Sequence, residues 1–154
     1  MEVRNVSTRP AVTCSPSTSL AEAAHLMQEH NVGCLVVVRH GVMSGVVTDR
    51  DIVTRGIAEG RPLSSPVDSL MSSDVAFVFE ADDVESAATL MASRGFRRLP
   101  VLNVHGTVMG MLSLDDLMSV SADQVQRLAF TIRSELRQGK AEAGGPVPHR
   151  ASRS

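Results

Sequence analysis

The chain reads as a mixed α/β (α+β) protein built from two tandem β-α-β-β-α repeats followed by a C-terminal helix. Three observations predict this. The sequence repeats itself, each copy alternates β-prone runs with a helical apolar stripe, and a further stripe continues past the second copy. The first copy spans about Ala11 to Ile57 and the second about Val75 to Val120. Leu20-Ala21-Glu22-Ala23-Ala24-His25-Leu26-Met27 aligns with Val84-Glu85-Ser86-Ala87-Ala88-Thr89-Leu90-Met91, and Gly45-Val46-Val47-Thr48-Asp49-Arg50-Asp51-Ile52 aligns with Gly110-Met111-Leu112-Ser113-Leu114-Asp115-Asp116-Leu117. The offset is 64 in the first alignment (Leu20 against Val84) and 65 in the second (Gly45 against Gly110), so the second copy carries one extra residue in the turn between them.

Each element has a local reason. Ala11–Cys14 and Val75–Phe79 are short β-prone runs. Ser17 or Ser19, and Asp82 or Asp83, are N-caps for the helices that follow. Leu20, Ala23, Ala24 and Met27 recur at helical spacing, as do Val84, Ala87, Ala88 and Met91. Apolar runs on either side of Arg39-His40-Gly41 and of Val104-His105-Gly106 read as hairpins. A second helix begins after Thr48 and ends near Gly56. Its counterpart after Ser113 is predicted to run on to about Gln138, because Leu117, Met118, Ser121, Val125, Leu128, Ala129, Ile132 and Leu136 form one stripe. Met43, Met71, Met91, Met109, Met111 and Met118 read as core filler. The Pro- and Ser-rich stretch Gly60 to Asp68 connects the copies. This divides the chain into 1–65 (first repeat with its lead-in), 66–138 (second repeat with its long helix) and 139–154, a tail expected to be disordered.

Composition excludes several function classes. The chain has 154 residues, is 43% hydrophobic and 21% charged, and carries a formal charge of −2. That balance suits a globular protein and supplies no overall basic footprint for nucleic acid. With no Trp, no Tyr and four Phe, there is little to build a base-stacking platform. No apolar run approaches the roughly 20 residues of a membrane helix, and no secretory signal is visible at the start of the sequence, so a cytoplasmic location is expected. Cys14 and Cys34 form no C-x-x-C pair; they read as buried thiols on neighbouring strands. The five histidines match no zinc spacing, and no metal site is expected. No P-loop, G-x-G-x-x-G or nucleophile-elbow motif is present, and the close carboxylates have no reacting partner, so no catalysis is expected.

The motif that carries chemistry is Thr48-x-x-Asp51, duplicated as Ser113-x-x-Asp116. Read locally, it is a capping box at a helix start. Read for binding, a carboxylate takes the two hydroxyls of a ribose and a hydroxyl at a helix N-terminus favours phosphate oxygens. One geometry serves both uses. Arg97 and Arg98 offer planar forks suited to phosphate, although adjacent arginines at a strand start are equally at home in solvent.

The duplicated Gly-apolar-apolar-Thr/Ser-x-x-Asp unit, together with Arg97-Arg98-Leu99-Pro100-Val101 and the lead-in Val67 to Val75, resembles the CBS (cystathionine β-synthase) domain; two in tandem resemble a Bateman module. The resemblance covers about Val3 to Val120 and implies pseudo-two-fold symmetry between the repeats, with no enzymatic domain attached. It implies that Thr48, Asp51, Ser113 and Asp116 hold ribose or phosphate and that Arg97 and Arg98 reach phosphate, with Arg50 and Arg94 as weaker candidates. It places the adenine slot at Val12, Thr13, Cys14 and Val47 in one copy and at Ala76, Phe77, Phe79 and Leu112 in the other. Gly33 and Cys34 stand where the second copy has the arginines, so the two sites are expected to differ, with Asp116 and the arginines together forming the better phosphate site. The implied function is a regulatory module that binds an adenosine-containing ligand (AMP, ADP, ATP or S-adenosylmethionine), assembles as a homodimer and presents a ligand-dependent surface to an effector protein. The alternative is an interaction scaffold that dimerises with no ligand. The basic tail residues Lys140, Arg150 and Arg153 are the sole hint of nucleic-acid binding, and solvated tail charge accounts for them.

Overall fold

The computed structural model describes residues 1–120 and 122–143. In chain order the elements are β1 (Thr13–Cys14), α1 (Leu20–His30), β2 (Cys34–Arg39), β3 (Val42–Thr48), α2 (Asp49–Asp51, continuing as a π-helical stretch Ile52–Ile57), β4 (Val78–Phe79), α3 (Val84–Arg94), β5 (Arg98–Leu102), β6 (Val108–Ser113), α4 (Leu114–Met118) and α5 (Ala122–Ala143). They form two three-stranded sheets of order β1-β2-β3 and β4-β5-β6. In each sheet the first pair is parallel, bridged by a helix, and the second is an antiparallel hairpin. Both leading strands are shorter than the β-prone runs that foretell them.

The helices begin and end where local chemistry requires. Ser19 caps α1 through a full capping box with Glu22, and Asn31 closes it in the left-handed region at φ 52°. Asp83 caps α3 by accepting from the Glu85 amide, and Gly95 ends it at φ 69°. Leu20, Ala23 and Met27 are buried from α1, and Val84, Ala87, Ala88 and Met91 from α3; Ala24, expected on the same stripe, faces solvent. The first hairpin turns through His40 (φ 49°) and Gly41 (φ 77°), the double positive-φ signature of a type I′ turn. The second is longer, and the Asn103 side chain accepts from the amides of His105 and Thr107.

The cores do not follow the division of the sequence at residue 65. The core of the first sheet takes Val67 and Leu70 from beyond the connector, while the core of the second takes Val3 from the start of the chain. Val3 and Val67 are fully buried, each worth roughly 1.5–3 kcal/mol of apolar transfer. Each lead-in is pinned to the other hairpin by a reciprocal backbone pair: Val46 with Ser72, and Thr8 with Met111. Gly45 and Gly110 make this possible. A Cβ at Gly45 would stand 2.5 Å from the Ser72 carbonyl oxygen, and one at Gly110 would stand 2.6 Å from that of Thr8. The glycine of the duplicated motif is therefore required by a crossing backbone.

The long helix expected after Ser113 is two helices. α4 ends at Met118, where the Ser119 amide and hydroxyl both turn back onto the Asp116 carbonyl. Met118 is 65% exposed and fills no core, and of the stripe beyond it Leu128 is buried while Leu136 is half exposed. α5 packs on α3 and extends to Ala143, past the expected end at Gln138, through the helix-favouring run Lys140-Ala141-Glu142-Ala143. The rest of the expected tail lies outside the described residues. Among those described, no helix is long and apolar enough to cross a membrane.

Candidate ligand-binding clefts

Both duplicated motifs form the same local structure. Thr48 ends β3 and caps α2: its Oγ1 accepts from the Asp51 amide at 3.1 Å, and Asp51 Oδ2 accepts from the Thr48 amide at 2.9 Å. Ser113 ends β6 and caps α4 in the same way, with Asp116, at 3.1 and 2.7 Å. Each box uses one carboxylate oxygen and the hydroxyl's lone pair, leaving the second oxygen and the hydroxyl proton to act outward. They are not equally free. Asp116 Oδ1 accepts from the Thr8 hydroxyl at 3.1 Å, whereas Asp51 Oδ1 has no hydrogen-bond partner among the described residues.

Each motif opens onto a cavity completed by the opposite repeat. The Asp51 cleft has a volume of about 260 Å³. Thr48, Asp51 and Val46 form one wall; Ser72, Asp74, Val75 and Ala76 of the second lead-in and Gly95, Phe96, Arg97 and Arg98 after α3 form the other. The Asp116 cleft is smaller, about 170 Å³, and is lined by Ser113, Asp115 and Asp116 with Thr8, Pro10, Ala11 and Val12 of the first lead-in and Asn31 to Cys34 after α1. Cys34, Arg98 and Met111 line both.

This arrangement corrects the expected pairing of residues. Arg97 lines the Asp51 cleft and not the Asp116 cleft, so it meets the carboxylate of the other repeat rather than its own; Arg98 lines both and keeps the expected place beside Asp116. The crossed lead-ins cause this, since each hairpin's open edge is completed from across the pseudo-dyad. The expected adenine slot is also redistributed. Val47 and Leu112 are fully buried in the two cores and reach neither cleft. Their strand neighbours Val46 and Met111 face the cavities instead, because successive strand residues point to opposite faces. Val12 lines the Asp116 cleft and Ala76 the Asp51 cleft, each apart from the partners expected for it. Thr13, Cys14, Phe77 and Phe79 line neither cleft, and the two phenylalanine rings pack edge to face at 5.5 Å. Arg50 and Arg94 also stay outside both.

Residues not singled out from the sequence join the site. Phe96, 38% exposed, supplies an aromatic wall beside the arginines; Ser72 and Asp74 add polar groups. An aromatic in a Phe-poor chain, set directly before two arginines, is the signal that could have drawn attention to Phe96. Cys34 stands buried between the clefts, and its thiol is pushed up to about 11, first by burial, with the Arg98 charge working against the rise. Cys14 is likewise raised to about 11 by burial, moderated by a hydrogen bond with Thr18.

The CBS domain family matches the sequence twice, over residues 3–57 and 67–123. A CBS domain-containing protein of Bacillus subtilis (strain 168), YhcV, is 40% identical over 115 residues, covering 75% of this chain and 81% of that protein. Among solved structures, the CBS domain protein PAE2072 from Pyrobaculum aerophilum, complexed with AMP, superimposes with a TM-score of 0.76 at 26% identity, covering 84% of this chain and 99% of the other. The CBS-domain containing protein ATU1752 from Agrobacterium tumefaciens gives a TM-score of 0.67 at 28% identity, covering 75% and 95%. The twice-repeated sequence match, the two equivalent sheets and these likenesses agree: the chain belongs to the CBS domain family, as a tandem pair of its domains.

Proposed function

We propose that this CBS pair is a ligand-sensing regulatory module that binds an adenosine-containing ligand in the Asp51 cleft and performs no chemistry on it. One observation carries the reading: a hydroxyl and a carboxylate oxygen with no partner among the described residues, both from the first repeat, face two arginines and a phenylalanine from the second across one cavity. The carboxylate suits ribose hydroxyls, the guanidinium forks suit phosphate, and the apolar wall of Val46, Ala76, Phe96 and Met111 suits a purine. The Pyrobaculum relative complexed with AMP supports this assignment. AMP is therefore the first ligand to test, ahead of ADP, ATP and S-adenosylmethionine. Because the cleft lies between repeats, a ligand that prefers one arrangement of them shifts the population toward it. The altered surface is read by an effector protein. We also propose a homodimer, supported by family resemblance and by Phe130 (76% exposed) and Leu136 (50% exposed) on α5; sedimentation equilibrium tests it.

A thermal melt followed by circular dichroism tests the ligand reading. The panel is AMP, ADP, ATP, S-adenosylmethionine and NAD, with GTP as control. A ligand at about 100 times its Kd adds about 2.7 kcal/mol, and each kcal/mol moves the midpoint of such a domain by roughly 2–6 °C. The expected result is a shift with one adenosine compound that Asp51→Ala abolishes. No shift with any of them leaves the scaffold reading, which the closed Thr8–Asp116 contact favours for the second cleft.

A further inference from the structure

Arg98 and Cys34 occupy the same position of the two repeats. Arg98 opens β5 and is register-paired with Ser113; Cys34 opens β2 and is register-paired with Thr48. Each therefore sits opposite the hydroxyl of its own repeat's capping box, and each lines both cavities. Symmetry would supply one cation for each cleft at this shared wall. The sequence puts a guanidinium on one side and a buried thiol on the other. Arg98 is in no ion pair among the described residues, so its guanidinium is free to turn to either cavity.

The second arginine does not restore the balance. Arg97 lines the Asp51 cleft alone, giving that cavity two arginines against Asp51 and Asp74. The Asp116 cleft has Asp115 and Asp116 with Arg98 as its one cation among the lining residues. Arg98 is the one lining side chain there that can neutralise a phosphate.

We propose that the two clefts are negatively coupled through Arg98: a phosphorylated ligand that draws the guanidinium into the Asp51 cleft removes it from the Asp116 cleft, so the second cleft fills only at much higher concentration. This rests on the nucleotide reading of the clefts and adds a rule of occupancy to it. Coupling of this kind is a differential contact, since one charge-assisted fork cannot serve two phosphates on opposite sides of a wall. The expected coupling lies within roughly 5–150-fold, the usual span for linked sites. A ligand without phosphate does not recruit Arg98 and is not coupled.

Calorimetric titration with AMP and with adenosine tests this. In the unmodified protein AMP gives two phases, with a larger ratio of dissociation constants than adenosine gives. Asp51→Asn, which disables the first cleft while keeping a side chain able to cap, should tighten AMP binding at the Asp116 cleft by about tenfold relative to the second phase of the unmodified protein. In an Arg98→Gln background the same Asp51→Asn change should leave that constant unaltered. An unaltered constant in the Arg98 protein overturns the coupling while leaving nucleotide binding intact, as does an AMP ratio equal to the adenosine ratio, a comparison that needs no variant to fold. Absence of heat with both ligands overturns the nucleotide reading, and the coupling with it.

Discussion

The Asp51 and Asp116 clefts start from the same parts: a hydroxyl at the end of a hairpin, a carboxylate three residues on and two reciprocal hydrogen bonds of nearly equal length. They diverge in the residues that complete them. The Asp51 cleft receives Arg97, Arg98 and Phe96, and its carboxylate keeps an oxygen without a partner among the described residues. The Asp116 cleft receives Thr8, whose hydroxyl occupies that oxygen, and Arg98 as its lone lining cation. Duplication has thus kept the local structure and varied the long-range one. A capping box is stabilised by its own hydrogen bonds whatever the ligand, so it persists in both copies; the segments that cross from the opposite repeat carry the specificity.

The strongest way to break the comparison is to remove a crossing. Gly45→Val puts side-chain atoms where the Ser72 carbonyl lies and forces apart the Val46–Ser72 backbone pair. Overpacking and two lost hydrogen bonds together cost about 2–4 kcal/mol. Gly110→Val does the same to Thr8 and Met111 and should cost a similar amount. The two variants should part company in binding. Gly45→Val displaces residues 72–76 from the Asp51 cleft and should lose the melt shift with AMP, whereas Gly110→Val should keep it. Equal retention by both would mean that the second lead-in is not part of the ligand site.

Next in size are the carboxylates themselves. Asp51→Ala should weaken AMP binding at the first cleft by about a hundredfold or more, the value of charge-assisted hydrogen bonds to two ribose hydroxyls. Asp116→Ala should change the first binding phase by less than about threefold, since it belongs to the other cleft. Both remove a capping interaction, so each should cost about 1 kcal/mol of stability. The matched stability loss is the control that makes a difference in affinity interpretable. Calorimetry on both variants decides it, and a larger loss of affinity for Asp116→Ala would reverse the ranking of the clefts.

What was legible in the sequence divides along the same line. Thr48 with Asp51 and Ser113 with Asp116 act over three residues, so pattern alone locates them, whereas the choice of Ser19 over Ser17 as the cap of α1 is made by the structure. The repeat itself is legible because its spacing is periodic. The pairing of arginines with carboxylates is not, because it depends on which lead-in crosses to which hairpin, and nothing local encodes that. The choice of Val46 and Met111 over Val47 and Leu112 fails for a different reason. Both neighbours on each strand are apolar, so alternation cannot tell the core face from the cleft face. The break between α4 and α5 hides behind an unbroken apolar stripe, and the Ser119 contacts that stop the first helix compete with it locally.

A smaller change tests whether the second cleft is held shut. Thr8→Val keeps the shape of the side chain and removes the donor that occupies Asp116 Oδ1. The contact is exposed, so stability should change by less than about 1 kcal/mol. The weaker phase of AMP binding should tighten by roughly two- to fivefold, in line with one modest hydrogen bond released to the ligand. An unchanged weak phase would mean that the hydroxyl yields to ligand at no cost, and that the difference between the clefts lies in the arginines alone.

The subtlest reporter of the comparison is the pair of buried cysteines, because Cys34 lines both clefts and Cys14 lines neither. Both thiols are raised from 9.0 to about 11, chiefly by burial, so both stay protonated in the folded protein at pH 8 and react slowly with a maleimide, which requires thiolate. Folded protein holds more protons than unfolded between pH 9 and 11, so the thiols' contribution to stability is complete below that window and declines as pH rises through it. Labelling is therefore best read near pH 8. AMP should slow Cys34 in two ways: it covers the thiol, and it draws off the Arg98 charge that lowers the thiol pKa. A few-fold slowing at Cys34 with no change at Cys14, resolved by peptide mass, is the expected outcome. In Arg98→Gln, Cys34 should already react more slowly before AMP is added, since the charge that favours its thiolate is gone. Equal slowing of both cysteines would instead report general stiffening of the first sheet, and the ligand would have to be placed away from the wall that the two clefts share.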